Sequence, residues 1–162
     1  MREIFVEKFG GASVNSATSI KNVISILQLD EKARVVVVSA MGKTTKKKKK
    51  IVDLWYRFTR FNQEEFDFIK AYHISIVKEL FENTSALDIA LSMVEEIFSD
   101  LKQNLLSLNP KDYDFLYDSI VSYGEKISTA ILSLYMTSLD INHRLISAQE
   151  VIKTDNSYRG AQ

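Results

Sequence analysis

With 162 residues, 46% of them hydrophobic and 26% charged, the chain has the length and composition of one globular domain with a real core. Its 21 basic and 21 acidic residues cancel, so no global charge draws it to nucleic acid or an anionic membrane. It contains no cysteine, which excludes disulfides and thiolate metal sites, and no apolar run approaches a membrane span. The opening Met-Arg-Glu-Ile-Phe has no signal-peptide core, so a cytoplasmic protein is the default expectation.

Residues 2–8 alternate around Ile4 and Val6 and predict a first strand. Lys8-Phe9-Gly10-Gly11-Ala12-Ser13-Val14 follows at its carboxyl end. Small residues there let backbone approach an anion, amide N–H groups can point at it, and a lysine can neutralise it. Asn15 or Ser16 can cap a helix carrying Ala17, Ile20, Val23, Ile24 and Leu27 at helical spacing. Residues 34–39 predict a second strand. Its run Val35–Val38 reads as buried on both faces, as in a parallel sheet with helices on each side. The segment Ser39-Ala40-Met41-Gly42-Lys43-Thr44-Thr45 then lies where open α/β sheets bind ligands.

The lysine run Lys46–Lys50 reads first as a solvated loop before a helix, and second as extra attraction for polyphosphate. Ile51, Leu54, Trp55 and Phe58 begin a second helical stripe, and Phe66, Ile69, Ile76, Val77 and Leu80 continue it beyond a break near Asn62. Ser85 with Asp88 has the form of a capping box before a third stripe through Leu87, Leu91, Val94, Phe98, Leu101 and Leu105. Asn109-Pro110 marks a turn. Residues 112–139 predict one long helix with Gly124-Glu125 inside it. Arg144–Ser147 is read as a third strand and Val151-Ile152 as the start of a fourth. The pattern is α/β, with a long helical insertion, about residues 46–122, between strands two and three.

In combination and in order, Lys8–Val14, the Val-Ser-Ala-Met-Gly-Lys-Thr-Thr segment at 38–45, Gly124-Glu125 with Ser128, and the late Ser147-Ala148 with Val151-Ile152 and Thr154-Asp155 resemble the amino-terminal part of the aspartokinases, members of the amino acid kinase family. The resemblance implies a three-layer sandwich with a mainly parallel sheet. Residues 1–162 would form the amino-terminal part of the catalytic domain, the nucleotide-binding half and any ACT domains lying outside this chain. It implies transfer of the γ-phosphate of ATP to the side-chain carboxylate of L-aspartate, giving 4-phospho-L-aspartate, the first step of lysine, threonine and methionine biosynthesis. Mg²⁺ would arrive with ATP and need no protein ligand here. A homo-oligomeric full-length parent is expected, with no nucleic acid and no membrane as partners. An acceptor other than aspartate, or a catalytically inactive assembly module, stays open as an alternative.

A carboxylate nucleophile is already ionised at neutral pH and needs no general base. The reaction needs charge neutralisation and alignment of two anions. By resemblance, Lys8 contacts the transferring phosphate, and Gly10 and Gly11 supply amides to it. Ser13 contacts phosphate or caps the next helix. Ser39 and Thr45 line the aspartate pocket, and Glu125 holds the α-ammonium. Ala12 stands where the family most often has threonine, so it is assigned no side-chain role. Ser128 is placed to support Glu125. Lys43, Thr44, Gln149 and Asp155 take no firm role. His73 and His143 are read as structural, and no Asp/Glu/His cluster has metal-ligand spacing. The isolated chain is expected to be inactive, since nothing in it resembles an adenine pocket.

Overall fold

The computed structural model describes residues 3–30, 32–42, 44–58, 60–109, 112–155, 157–158 and 160, with the backbone alone for residues 33, 45–48 and 58. Strand β1 (Ile4–Phe9) leads through a 3₁₀ turn (Gly11–Val14) into helix α1 (Ala17–Leu27) and then strand β2 (Ala33–Val38). Ser16 caps α1 by accepting the Ser19 N–H at 3.1 Å. The two strands pair in parallel, from Ile4 opposite Ala33 to Phe9 opposite Val38. Five longer helices follow: α2 (Thr44–Phe58), α3 (Gln63–Leu80), α4 (Thr84–Ser107), α5 (Tyr113–Val121) and α6 (Tyr123–Ser138), with a short α7 (Ala148–Val151). The architecture is α/β, rich in helix around a small parallel sheet.

The apolar stripes become one core that runs from α1 and β2 through the helices, with Ile20, Ile69, Phe98, Leu116 and Ile131 fully inside it. On the sheet, strand alternation turns Phe5, Glu7 and Phe9, with Arg34, Val36 and Val38, toward the helices. Arg34 joins the layers. Its Nε donates to Glu7 Oε1 at 3.0 Å and its Nη1 to the Leu27 carbonyl at 2.9 Å, while Nη2 pairs with Asp30. A guanidinium on the last carbonyls of α1 is favoured by the helix dipole as well as by its two carboxylates.

Several expectations are corrected. The valine run is not buried on both faces: Val35 and Val37 are 50% and 42% exposed, beside Ile4 at 63% and Val6 at 70%. The reason is that, among the described residues, helices cover only one face of the sheet. Arg144–Ser147 is not a strand, and Leu145 and Ile146 are exposed: among the described residues the sheet holds only β1 and β2, and neither pairs with this segment. Val151 ends α7 instead of starting a strand. The helix expected over 112–139 breaks at Ser122, whose hydroxyl donates back to the Ser119 carbonyl at 3.2 Å, a contact that bends helices. Helix α4 starts at Asn83, whose side chain takes the Ser85 N–H at 2.9 Å, so Ser85 is not the cap.

The lysine run is inside α2, not in a loop before it. Buried Ile51, Val52 and Trp55 anchor that helix. Lys49 pairs with Asp53 one turn on at 2.9 Å, and Lys50 reaches Glu65 on α3. Burial alone would raise the Asp53 carboxyl, yet the Tyr113 hydroxyl, donating at 2.6 Å, and the Lys49 ammonium hold it below its ordinary value. A carboxyl depressed in the folded state adds stability above its unfolded pKa and loses it as pH falls through the folded value. Asp53→Asn keeps an acceptor for Tyr113 but cannot titrate. Its melting temperature is therefore expected to fall less steeply than that of the unmodified protein below about pH 4. Parallel acid limbs in a pH series of thermal melts would remove Asp53 from the account.

Candidate functional site

The two strand ends and the start of α6 meet at the carboxyl edge of the sheet. Two backbone hydrogen bonds join the strand-end loops: Ser39 N–H to the Phe9 carbonyl at 3.1 Å, and Gly42 N–H to the Gly11 carbonyl at 2.9 Å. The glycines are not equivalent. A Cβ at Gly11 would lie 2.5 Å from the Ala40 carbonyl oxygen and 3.0 Å from that of Gly42, so only glycine lets the loops close. A Cβ at Gly10 would meet nothing within 4 Å, so the space over that residue is open.

Helix α6 enters from a remote part of the chain. Glu125 Oε1 accepts the Ala40 N–H at 3.3 Å, and Ser128 Oγ accepts the Met41 N–H at 3.0 Å while donating to the Gly124 carbonyl at 2.7 Å. One turn of helix thus holds two consecutive amides of the second loop. Ser128 was expected to support Glu125; it is fully buried and supports the loop directly. One hydrogen bond leaves Glu125 further acceptor capacity, since a carboxylate carries about four lone-pair sites. Thr44, the first residue of α2, is buried and ties its hydroxyl to the Met41 carbonyl at 2.8 Å.

Lys8 lies opposite Val37 in the parallel register, and Ser39 follows Val37 by two residues, which sets Lys8 and Ser39 on the same face of the sheet. Lys8 is exposed there, at the end of the uncovered apolar face, and among the described residues it has no ion pair. Lys8, Gly10, Gly11, Ser39 and Glu125 are therefore drawn to one edge. Ser13 lies in the turn behind the glycines, its N–H on the Gly10 carbonyl at 2.9 Å. Ser16 caps α1, so the capping alternative for Ser13 is not realised. With Ala12, Ser13 also borders an open groove of about 460 Å³ between the end of β1 and α1, a groove that includes neither Lys8 nor Glu125. The Thr45 side chain and Lys43 lie outside the described residues.

A residue without a sequence signal belongs to this edge. Tyr72 of α3 donates its hydroxyl to the Asn15 carbonyl at 2.7 Å, and a Cβ at Gly42 would lie 2.8 Å from that hydroxyl. The histidines are tied locally: His73 Nδ1 lies 2.8 Å from the Ile69 carbonyl, and His143 Nε2 lies 2.8 Å from Ser133 Oγ. Among the described residues no group of three or more acidic or histidine side chains could hold a metal ion, and no helix is long and apolar enough to cross a membrane.

Lys8, the glycine turn and Glu125 thus come to one edge of the sheet. Among the described residues, this edge brings the Lys8 ammonium and small polar side chains beside a carboxylate that can take an ammonium. The family model described as "Amino acid kinase family" matches residues 3–161. Aspartokinase 1, chloroplastic, of Arabidopsis thaliana is 35% identical over 163 residues, an alignment covering 96% of this chain and 27% of that protein. The aspartokinase of Chlamydia muridarum (strain MoPn / Nigg) is 30% identical over 159 residues, covering 96% and 32%. Among solved structures, E. coli aspartokinase III in complex with aspartate and ADP superimposes with a TM-score of 0.82 at 21% identity, over 99% of this chain and 34% of that one, which shows a shared fold. The chain spans about a quarter to a third of the length of the curated relatives it matches.

Proposed function

The chain belongs to the amino acid kinase family, and from that premise we propose that it is the aspartate- and phosphate-binding portion of an aspartokinase. One juxtaposition carries the reading: Glu125, 85 residues away in sequence, accepts the Ala40 N–H at 3.3 Å, so a carboxylate borders the same strand end as Lys8 and Ser39. An ammonium for phosphate and a carboxylate for an α-ammonium sit at one edge, as an amino acid phosphorylated on its side chain requires.

In this mechanism Lys8 neutralises charge on the transferred phosphoryl group, and the amides of Gly10 and Gly11 face its oxygens. Ser13 is a further candidate phosphate contact. Glu125 takes the α-ammonium of L-aspartate, while Ser39 and Thr45 hold its carboxylates. A side-chain carboxylate oxygen attacks the γ-phosphorus, the bond to the β,γ-bridging oxygen breaks, and ADP leaves as 4-phospho-L-aspartate forms. ATP would supply the phosphoryl group, and Mg²⁺ would arrive with it and offset phosphate charge. No proton transfer is needed, because the attacking carboxylate is already ionised at neutral pH.

The remaining two thirds of the relatives' length would supply the nucleotide pocket and cover the bare sheet face, so the 162-residue chain alone is proposed to be inactive. The parent is read as a cytoplasmic homo-oligomer. The reading is tested by coupled nucleotide turnover of the full-length enzyme with Mg-ATP and aspartate, against glutamate and carbamate. A preference for either of those would reject the acceptor, and absence of turnover would reject the kinase.

Glu125→Gln separates recognition from support. Glutamine still accepts the Ala40 N–H but carries no charge. Loss of a charge-assisted contact costs about 1.5–3 kcal/mol, so the aspartate KM is expected to rise roughly ten- to hundredfold, with ATP KM within a few-fold and melting temperature unchanged. Glu125→Ala should add a loss of stability, because the Ala40 amide loses its partner. Steady-state kinetics in which the glutamine variant keeps its aspartate KM would assign Glu125 to loop support alone.

A further inference from the structure

Helix α3 reaches the site through one side chain. The Tyr72 hydroxyl donates to the carbonyl of Asn15, 57 residues earlier, at 2.7 Å. Asn15 closes the 3₁₀ turn that begins at the second of the two glycines. The same phenol is packed against Gly42: a Cβ built there would stand 2.8 Å from Tyr72 Oη, 3.6 Å from Tyr72 Cζ and 3.6 Å from Asn15 Cβ. Gly42 in turn takes φ +55°, a left-handed conformation suited to glycine, and its N–H donates to the Gly11 carbonyl at 2.9 Å. Tyr72 therefore sits where the glycine turn, the Ser39–Gly42 loop and the helical layer meet.

We propose that Tyr72 is a positioning residue that sets the separation between the glycine turn and the Ser39–Gly42 loop. The proposal rests on the reading of these loops as the phosphate side and the amino-acid side of a phosphoryl-transfer site. Tyr72 touches neither substrate on this account. It acts by fixing the gap between the groups that hold them. Rate in such a reaction comes from alignment, and a displacement of about 1 Å can cost a hundredfold. Binding of either substrate uses one loop at a time and is less sensitive to the gap. A clamp therefore predicts a loss in kcat with little change in either KM. A purely structural role predicts a lower melting temperature with kcat preserved.

The test uses the full-length enzyme with Tyr72→Phe, which removes one hydroxyl and keeps the ring, and Tyr72→Leu, which removes both. Steady-state kinetics is joined to amide hydrogen exchange at Gly42, whose N–H spans the two loops. Tyr72→Phe is expected to lower kcat about tenfold and Tyr72→Leu about a hundredfold, with both KM values within about threefold. Exchange at Gly42 should quicken in both. A Tyr72→Phe enzyme with kcat within twofold of the unmodified one overturns the proposal, whatever its melting temperature. If the unmodified enzyme phosphorylates a different acceptor, the same comparison is made with that acceptor. If it turns over none, the functional reading fails, and the clamp stands or falls on whether Gly42 exchange quickens.

Discussion

Replacing Lys8 by alanine in the full-length enzyme is expected to lower kcat by about two to four orders of magnitude, with the aspartate KM changing far less. Lys8 is the fifth residue of a six-residue strand, so its Cα is held by the ladder to β2. Its face of the sheet is the one that Ser39 continues, and it is exposed there without an ion pair among the described residues. A cation kept beside the developing charge acts most strongly in the transition state, where the negative charge must be redistributed, and so appears in kcat. On the proposed reading, the aspartate KM depends on Glu125, Ser39 and Thr45 instead. Measured kcat within threefold of the unmodified enzyme would take Lys8 out of the catalytic assignment. A rise in aspartate KM alone would make it a ground-state binding group.

Gly11→Ala should be the most damaging change that adds a single methyl group. The new Cβ would fall 2.5 Å from one backbone carbonyl oxygen and 3.0 Å from another, and neither belongs to a side chain that can swing away. One loop must move, which strains the Gly42 N–H bond to Gly11 and the Ser39 N–H bond to Phe9. Overpacking of this kind costs about 1–3 kcal/mol, and displacement of the loops should lower kcat by about a hundredfold. Gly10→Ala is the control. Its methyl group would meet nothing within 4 Å, so stability should change by no more than about 0.5 kcal/mol. Any kinetic defect of Gly10→Ala would then report a ligand close to that backbone. Denaturant melts and kinetics of the two variants decide this, and equal stabilities would mean that the loops are looser than their hydrogen bonds imply.

Local signals carried far along this chain. The strands, the first helix with Ser16 as one of two candidate caps, and the stripe of α4 through Val94, Phe98, Leu101 and Leu105 follow from alternation and 3.6-residue spacing, which depend on near neighbours. The glycine pair and the small residues after β2, expected at strand ends, do lie together at one edge. What misled was local as well. Leu145 and Ile146 have strand-like residues, yet among the described residues no strand pairs with them, and the lysine run is held helical by Ile51, Val52 and Trp55 beyond it. A capping-box pattern at Ser85 lost to Asn83, whose side chain takes the Ser85 and Ala86 amides and starts the helix two residues earlier.

By itself, the sequence determined the first strands, most helices and the residue types at their ends: an ammonium, two glycines, hydroxyls and a carboxylate, in an order that resembles one family. Only the tertiary structure decided which of these touch. Glu125 and Ser128 meet the amides of Ala40 and Met41 across more than 80 positions, and Tyr72 meets Asn15 across 57. It also separated Gly11, which the second loop requires to be bare, from Gly10, which stands open. The physical reason is that periodicity records which side of an element is apolar, whereas a hydrogen bond between distant residues depends on how whole elements pack. No pattern within α3 distinguishes Tyr72 from an ordinary half-buried aromatic. Its partner is a backbone carbonyl, which every residue carries and no sequence displays.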